Sequence, residues 1–106
     1  MKTQKVAVLA FNNINPFLLS VPCTVFSDPP LMPDLPVFRL LVCAAEEGPL
    51  HTSGRFGLTT THTLKDAEKT DIVIVPSWRD TNEAPSEAIL KCIRKAHKRG
   101  AIIVGL

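Results

Sequence analysis

Four apolar runs constrain the fold of this chain more than anything else in its sequence. Val6-Ala7-Val8-Leu9-Ala10-Phe11 has no polar interruption. A continuous apolar run, as opposed to an alternating one, suits a strand covered on both faces, which is the situation of a parallel sheet. Val37 to Ala45, broken only by Arg39, repeats the pattern, as do Ile72 to Val75 and Ala101 to Val104. All are rich in β-branched residues, which pack well on a pleated surface. Four buried strands are expected, with the last exposed as an edge.

Parallel strands need crossovers, and the segments between the runs supply them. Asn15 can cap and Pro16 can open a helix reaching Phe26, with Pro22 expected to kink or restart it. A second helix is expected from about Pro85 to Arg99, stopped by Gly100, with Ile89, Leu90, Ile93 and Ala96 as its apolar stripe. Leu64 to Lys69 fits one helical turn. Gly48 to Thr63, with glycines at 48, 54 and 57, reads as an irregular hairpin or edge excursion. Ser27 to Pro36 holds four prolines in ten residues and reads as a surface connection. The order of elements is that of an α/β domain with right-handed crossovers.

With 106 residues, 45% of them hydrophobic, the chain suffices for one domain with a real core and leaves no room for a second. Twelve Lys+Arg against ten Asp+Glu leave a charge of +2, far from the basic excess that drives binding to phosphate backbones. The basic residues Lys91, Arg94, Lys95, Lys98 and Arg99 read as a solvated helix face whose last-turn cations suit the helix dipole. No apolar run approaches the roughly 20 residues of a membrane helix, and Met1 to Lys5 leads into a strand without a secretory h-region. A soluble, cytoplasmic protein is expected, with no membrane partner. Cys23, Cys43 and Cys92 are odd in number and lack C-x-x-C spacing, so reduced thiols acting as core filler are expected.

Known cofactor signatures are missing. The turn Phe11 to Pro16 contains no glycine, so it lacks the clearance a pyrophosphate needs, and no G-x-x-x-x-G-K-[ST] stretch occurs. Glu46 and Glu47 then read as ordinary loop acids. His51, His62 and His97 are isolated from one another and from any Cys at ligand spacing. Neither a cofactor nor a metal is expected. The last run leads into Gly105-Leu106, the opening of a G-x-[CS]-x-G nucleophile elbow whose nucleophile position would follow Leu106.

Taken together, Val6 to Phe11, Asn15-Pro16-Phe17 with Ser20 to Phe26, Asp71 to Trp78 and Arg99 to Leu106 resemble the PfpI-type, class I glutamine-amidotransferase-like superfamily. More closely, they resemble the N-terminal domain of AraC-type transcriptional regulators of the FtrA kind. The resemblance implies a flavodoxin-like parallel sheet with helices on both faces, of which residues 1–106 would form the first half only. It further implies an elbow cysteine after the last strand, a histidine in a second half, and DNA contacted only through a C-terminal helix-turn-helix domain absent from this chain. Two departures count against catalysis. Pro16 fills the position where enzymatic members place a glutamate, and Ser77 stands where related sequences have glycine, which counts against an oxyanion hole at Ser77 and Trp78.

In a doubly wound sheet the ligand site lies at the carboxyl ends of the strands. The candidates there are Asn12, Asn13 and Asn15 after the first strand, and Ser77, Trp78 and Arg79 after the third. Each also has a plainer role: the asparagines as turn and capping residues, Arg79 in an ion pair with Asp80, Trp78 as an apolar lid. A ligand-sensing or interaction domain of a transcriptional regulator is the first functional reading, with a small-molecule effector and a homo-oligomer as partners. A fragment of a PfpI-like enzyme (amidase, hydratase or glyoxalase-type) is the second, and a bare structural module the third.

Overall fold

A computed structural model describes residues 3–27 and 37–106. The proline-rich connection expected over Ser27 to Pro36 lies, beyond Ser27, outside the described residues. The elements in chain order are β1 (Gln4–Ala10), α1 (Pro16–Val25), β2 (Phe38–Ala44), β3 (Leu50–His51), β4 (Gly57–Leu58), β5 (His62–Thr63), α2 (Leu64–Ala67), β6 (Ile72–Val75), α3 (Glu87–Lys98) and β7 (Ile102–Gly105). One parallel sheet runs in the order β5-β2-β1-β6-β7, and β3 with β4 forms a separate antiparallel hairpin. The expected α/β architecture is present, and the 48–63 excursion resolves into that hairpin followed by β5, a fifth sheet strand beyond the four expected.

Alternation along the central strand explains why β1 carries no polar interruption. Ala7 and Leu9 join Leu41, Cys43 and Val73 against Ala67, Ile89, Cys92 and Ala96 of α2 and α3. Val6 and Val8 join Ile74 on the opposite face, packed against Leu19 and Phe26. Both faces of β1 are therefore core, as a parallel sheet requires.

The helix ends follow their sequence signals. The Asn15 Oδ1 accepts from Phe17 N at 2.9 Å and Leu18 N at 3.3 Å, and Pro16 opens α1. Pro22, expected to kink or restart the helix, sits inside one helix. Its carbonyl still accepts the Phe26 N–H at 3.0 Å, so the last turn closes beyond the ring. α3 begins two residues after Pro85, capped by the Ser86 Oγ accepting from Ile89 N at 3.2 Å. At its other end Gly100 has φ 103°, Gly100 N donates to His97 O, and Ala101 N to Ala96 O, each at 3.0 Å. That pair of bonds around a left-handed glycine is a Schellman stop.

The last strand departs from expectation in burial. It is an edge, as expected, but only Ala101 before it is buried, and Ile102 is 60% exposed. The reason is the uneven cover of the sheet: α2 and α3 lie over one face, while the other has α1 alone among the described residues. α1 itself is uncharged throughout and leaves Phe17, Val21 and Val25 exposed at i, i+4 and i+8. The basic face of α3 is partly spent on internal bonds. Arg99 donates to the carbonyls of Glu68 and Thr70, Arg94 pairs with Glu87 at 3.0 Å, and Lys95 lies 3.9 Å from Glu68.

Candidate functional site

β1 and β6 are neighbours in the sheet, so the loops after Ala10 and Val75 emerge side by side at its carboxyl edge. Five of the six candidate residues meet there: Asn13, Asn15, Ser77, Trp78 and Arg79 line one cleft of about 230 Å³, together with Phe11 and Ser53. Asn12 does not line it. Its Oδ1 accepts from His51 N at 3.0 Å, its own N–H donates to Glu46 Oε1 at 2.8 Å, and its carbonyl accepts from Arg79 at 3.1 Å. Asn12 is a joint holding three segments, and Asn15 spends its carboxamide oxygen on capping α1.

The β1 loop is shaped by backbone needs. Asn13 adopts φ 62°, a left-handed conformation that Asn tolerates better than most residues. In that pose its N–H donates to His51 O at 2.7 Å, while Ser53 N donates to Ile14 O at 2.9 Å. These bonds pull the tip of the β3–β4 hairpin against the turn and bring Ser53 into the cleft wall.

Arg79 is the electrostatic centre. Its guanidinium contacts Glu46 through Nη1 at 2.5 Å and Nη2 at 2.9 Å, and Glu83 through Nε at 2.8 Å and Nη2 at 2.6 Å. It also stacks over the Trp78 ring at 4.6 Å, where the negative π-face attracts a cation. The Trp78 Nε1–H donates to Glu83 O at 2.8 Å, and its ring lies 4.8 Å from that of Phe11. The plainer alternative for Arg79, an ion pair with Asp80, does not form; Asp80 instead accepts the Asn82 N–H at 2.9 Å. Hydrogen bonds from the Arg79 guanidinium hold the Glu46 and Glu83 carboxyls below the usual carboxylate range, and the same contacts, Glu83 first, raise Arg79 above its ordinary value. With Arg79 compensated by two carboxylates, the cleft offers a ligand mainly neutral polar groups beside an aromatic face.

Glu46, Glu83 and Ser53 were not among the candidates. Glu46 had a readable signal: β2 is the other neighbour of β1, so an acid just after it reaches the same edge as an arginine just after β6. Glu83 and Ser53 depend on loop paths that no periodicity reports.

The three thiols are shielded. Burial pushes Cys43 up to about 12, helped by Asp66 and Cys92, and pushes Cys92 up to about 11, with Glu68 adding to it. Burial raises Cys23 too. Among the described residues no group of three or more His, Cys, Asp or Glu side chains is placed to hold a metal ion, and no helix is long and apolar enough to cross a membrane.

No family model and no curated protein sequence matches the chain. Solved structures do match. A ThiJ/PfpI family protein from Bacillus anthracis aligns with a TM-score of 0.77 and 21% identity over 99% of this chain and 51% of its own. A DJ-1 superfamily protein from Salmonella typhimurium aligns with a TM-score of 0.76 and 15% identity over 97% of this chain and 55% of its own. The fold is that of DJ-1/ThiJ/PfpI-type proteins. An AraC family transcriptional regulator from Pseudomonas putida shares it, with a TM-score of 0.69 and 12% identity over 96% of this chain and 55% of its own. This chain spans about half the length of these three structures.

Proposed function

We propose that the chain is the ligand-sensing or interaction part of a cytoplasmic transcriptional regulator of the AraC type, FtrA-like, and that these 106 residues are not catalytic by themselves. The observation that carries this reading is the cleft at the carboxyl edge, where an aromatic face and amide and hydroxyl groups from two adjacent strand ends converge on a space large enough for a small molecule. The Pseudomonas putida neighbour supports the regulator context, because a protein described as an AraC family regulator carries this fold. DNA would be reached through another domain. The exposed Phe17, Val21 and Val25 stripe on α1 supports a homo-oligomer, since an apolar stripe at helical spacing normally faces a packing partner.

The non-catalytic half of the reading rests on the thiols, because a cysteine nucleophile acts as thiolate. Brief alkylation of the native chain with iodoacetamide at pH 8, read by intact mass, is expected to modify Cys23 slowly and to leave Cys43 and Cys92 untouched until the chain is unfolded. Rapid modification of Cys43 or Cys92 in the native chain would contradict the non-catalytic reading.

The sensing half is tested by titrating the folded chain with small amides, polyols and hydroxy acids while following Trp78 emission. Binders are expected to change the emission, and Trp78→Ala, which leaves the chain without a tryptophan and is titrated by calorimetry, is expected to weaken them by about 1–3 kcal/mol, the worth of one lost aromatic contact. Lowered stability with unchanged affinity would remove Trp78 from the site.

A further inference from the structure

Lys5 of β1 and Arg39 of β2 are register partners on adjacent parallel strands, so their side chains leave the same face of the sheet about 5 Å apart. Like charges so placed repel. That face belongs to α2 and α3, but α2 has only 4 residues, and among the described residues Leu41 is the one apolar side chain lining the space beside Lys5 and Arg39. In the gap, Lys5, Arg39, Leu41, His62, Asp66 and Lys69 line a cavity of about 170 Å³. Leu41 is its buried apolar floor, while the three cations are exposed, which leaves the cavity open to solvent.

Among the described residues, none of the three cations takes part in a salt bridge. The carboxylate in the wall is already committed. Asp66 Oδ2 accepts the Thr63 N–H at 2.9 Å and lies 3.7 Å from His62 Nδ1. Asp71, close to Lys5 in space, accepts the Lys5 backbone N–H at 2.9 Å and does not line the cavity. Among the described residues that line it, three cations stand against one carboxylate, an excess of two positive charges in the wall of a space of small-anion size.

We propose that this cavity, at the sheet edge opposite the Trp78 cleft and independent of it, binds a phosphate dianion, either free or as the monoester of a small molecule. The charge balance carries the proposal. A carboxylate would neutralise half of the excess, whereas a phosphate dianion neutralises all of it and relieves the repulsion between Lys5 and Arg39. Arg39 offers a planar donor fork matched to two phosphate oxygens, and Lys5 and Lys69 act as movable point charges beside it.

The test replaces chloride by inorganic phosphate at constant ionic strength and follows the ¹H–¹⁵N spectrum of the chain and its thermal midpoint. Saturable shifts confined to Lys5, Arg39, His62, Asp66 and Lys69 are expected, with a rise in Tm that follows occupancy. Arg39→Gln and Lys69→Gln are each expected to weaken phosphate binding at least tenfold, roughly 1.4 kcal/mol, while in chloride Arg39→Gln melts no lower than the wild type because a repulsion has been removed. Glycerol phosphate binding more tightly than inorganic phosphate identifies a monoester as the ligand; equal or weaker binding identifies the free anion. Shifts that never saturate, or that survive both substitutions, overturn the proposal, as does an Arg39→Gln variant that melts well below the wild type in chloride.

Discussion

Phe11→Ala is expected to remove about 3–5 kcal/mol of stability, the usual cost of deleting a buried phenyl ring. Phe11 is 2% exposed, among the largest fully buried side chains of the described residues, and its ring packs on Trp78. The cost should fall in the upper part of that range, because the site cannot collapse. Phe11 already borders a void of about 70 Å³ shared with Leu9, Ala45, Val75, Trp78 and Ile89, and the lost ring would enlarge it. Domains of this size have roughly 5–15 kcal/mol in all, so the variant should lose a large fraction of its stability and melt at a much lower urea concentration. Urea denaturation followed by circular dichroism checks it; a midpoint close to that of the wild type would mean that the β1 end does not anchor the cleft.

The second large effect is electrostatic. Glu46→Gln is expected to cost about 1.5–3 kcal/mol at pH 7, the range for hydrogen bonds to a charged group, because Arg79 is only 17% exposed and would keep only the more exposed Glu83 as a carboxylate partner. The pH dependence follows from the sign of the shift. The folded Glu46 carboxyl is held below its ordinary value by the Arg79 hydrogen bonds. Its stabilisation is therefore fully present above the unfolded value of about 4.3 and is lost as pH falls through the lower folded value. Wild-type stability should decline over that acid window, and the decline should be shallower in Glu46→Gln. Glu83→Gln, on an exposed partner, should lose less at pH 7. Parallel acid limbs in the two proteins would show that the Arg79–Glu46 pair adds nothing to folding.

Much of the fold was legible because apolar runs, caps and stops are local signals. Val6 to Phe11 announced a doubly covered strand, Asn15-Pro16 a helix start, and Gly100 a helix stop, and each is where the pattern put it. β5 was not legible: two residues, His62 and Thr63, join the sheet through pairing with Cys43 and Ala44, and no two-residue strand has a period to read. The exposure of Ile102 was hidden for a related reason, since a run of β-branched residues does not tell which face lacks a helix.

In the cleft, the expectation that neighbouring parallel strands release their chains at one edge was sufficient to bring Asn13, Asn15, Ser77, Trp78 and Arg79 together. The plainer roles of two asparagines are observed: Asn12 and Asn15 spend their side-chain oxygens on backbone N–H groups. What the sequence hid was the partner of Arg79. The adjacent Asp80 looked adequate, but the guanidinium reaches across two loops to Glu46, 33 residues away in the chain. Contacts of that span depend on loop conformation, which local propensity does not encode.

The claim on which the rest depends is that the carboxyl-edge cleft is where this chain meets its small-molecule ligand. The most direct measurement is the ¹H–¹⁵N spectrum of the folded chain during the same titration with small amides, polyols and hydroxy acids. The account predicts that saturable binders perturb Asn13, Asn15, Ser53, Ser77, Trp78 and the Trp78 indole N–H, leave the α3 basic face unmoved, and lose affinity in Trp78→Ala. Binders that map elsewhere, or a cleft that no compound perturbs at millimolar concentration, would contradict it.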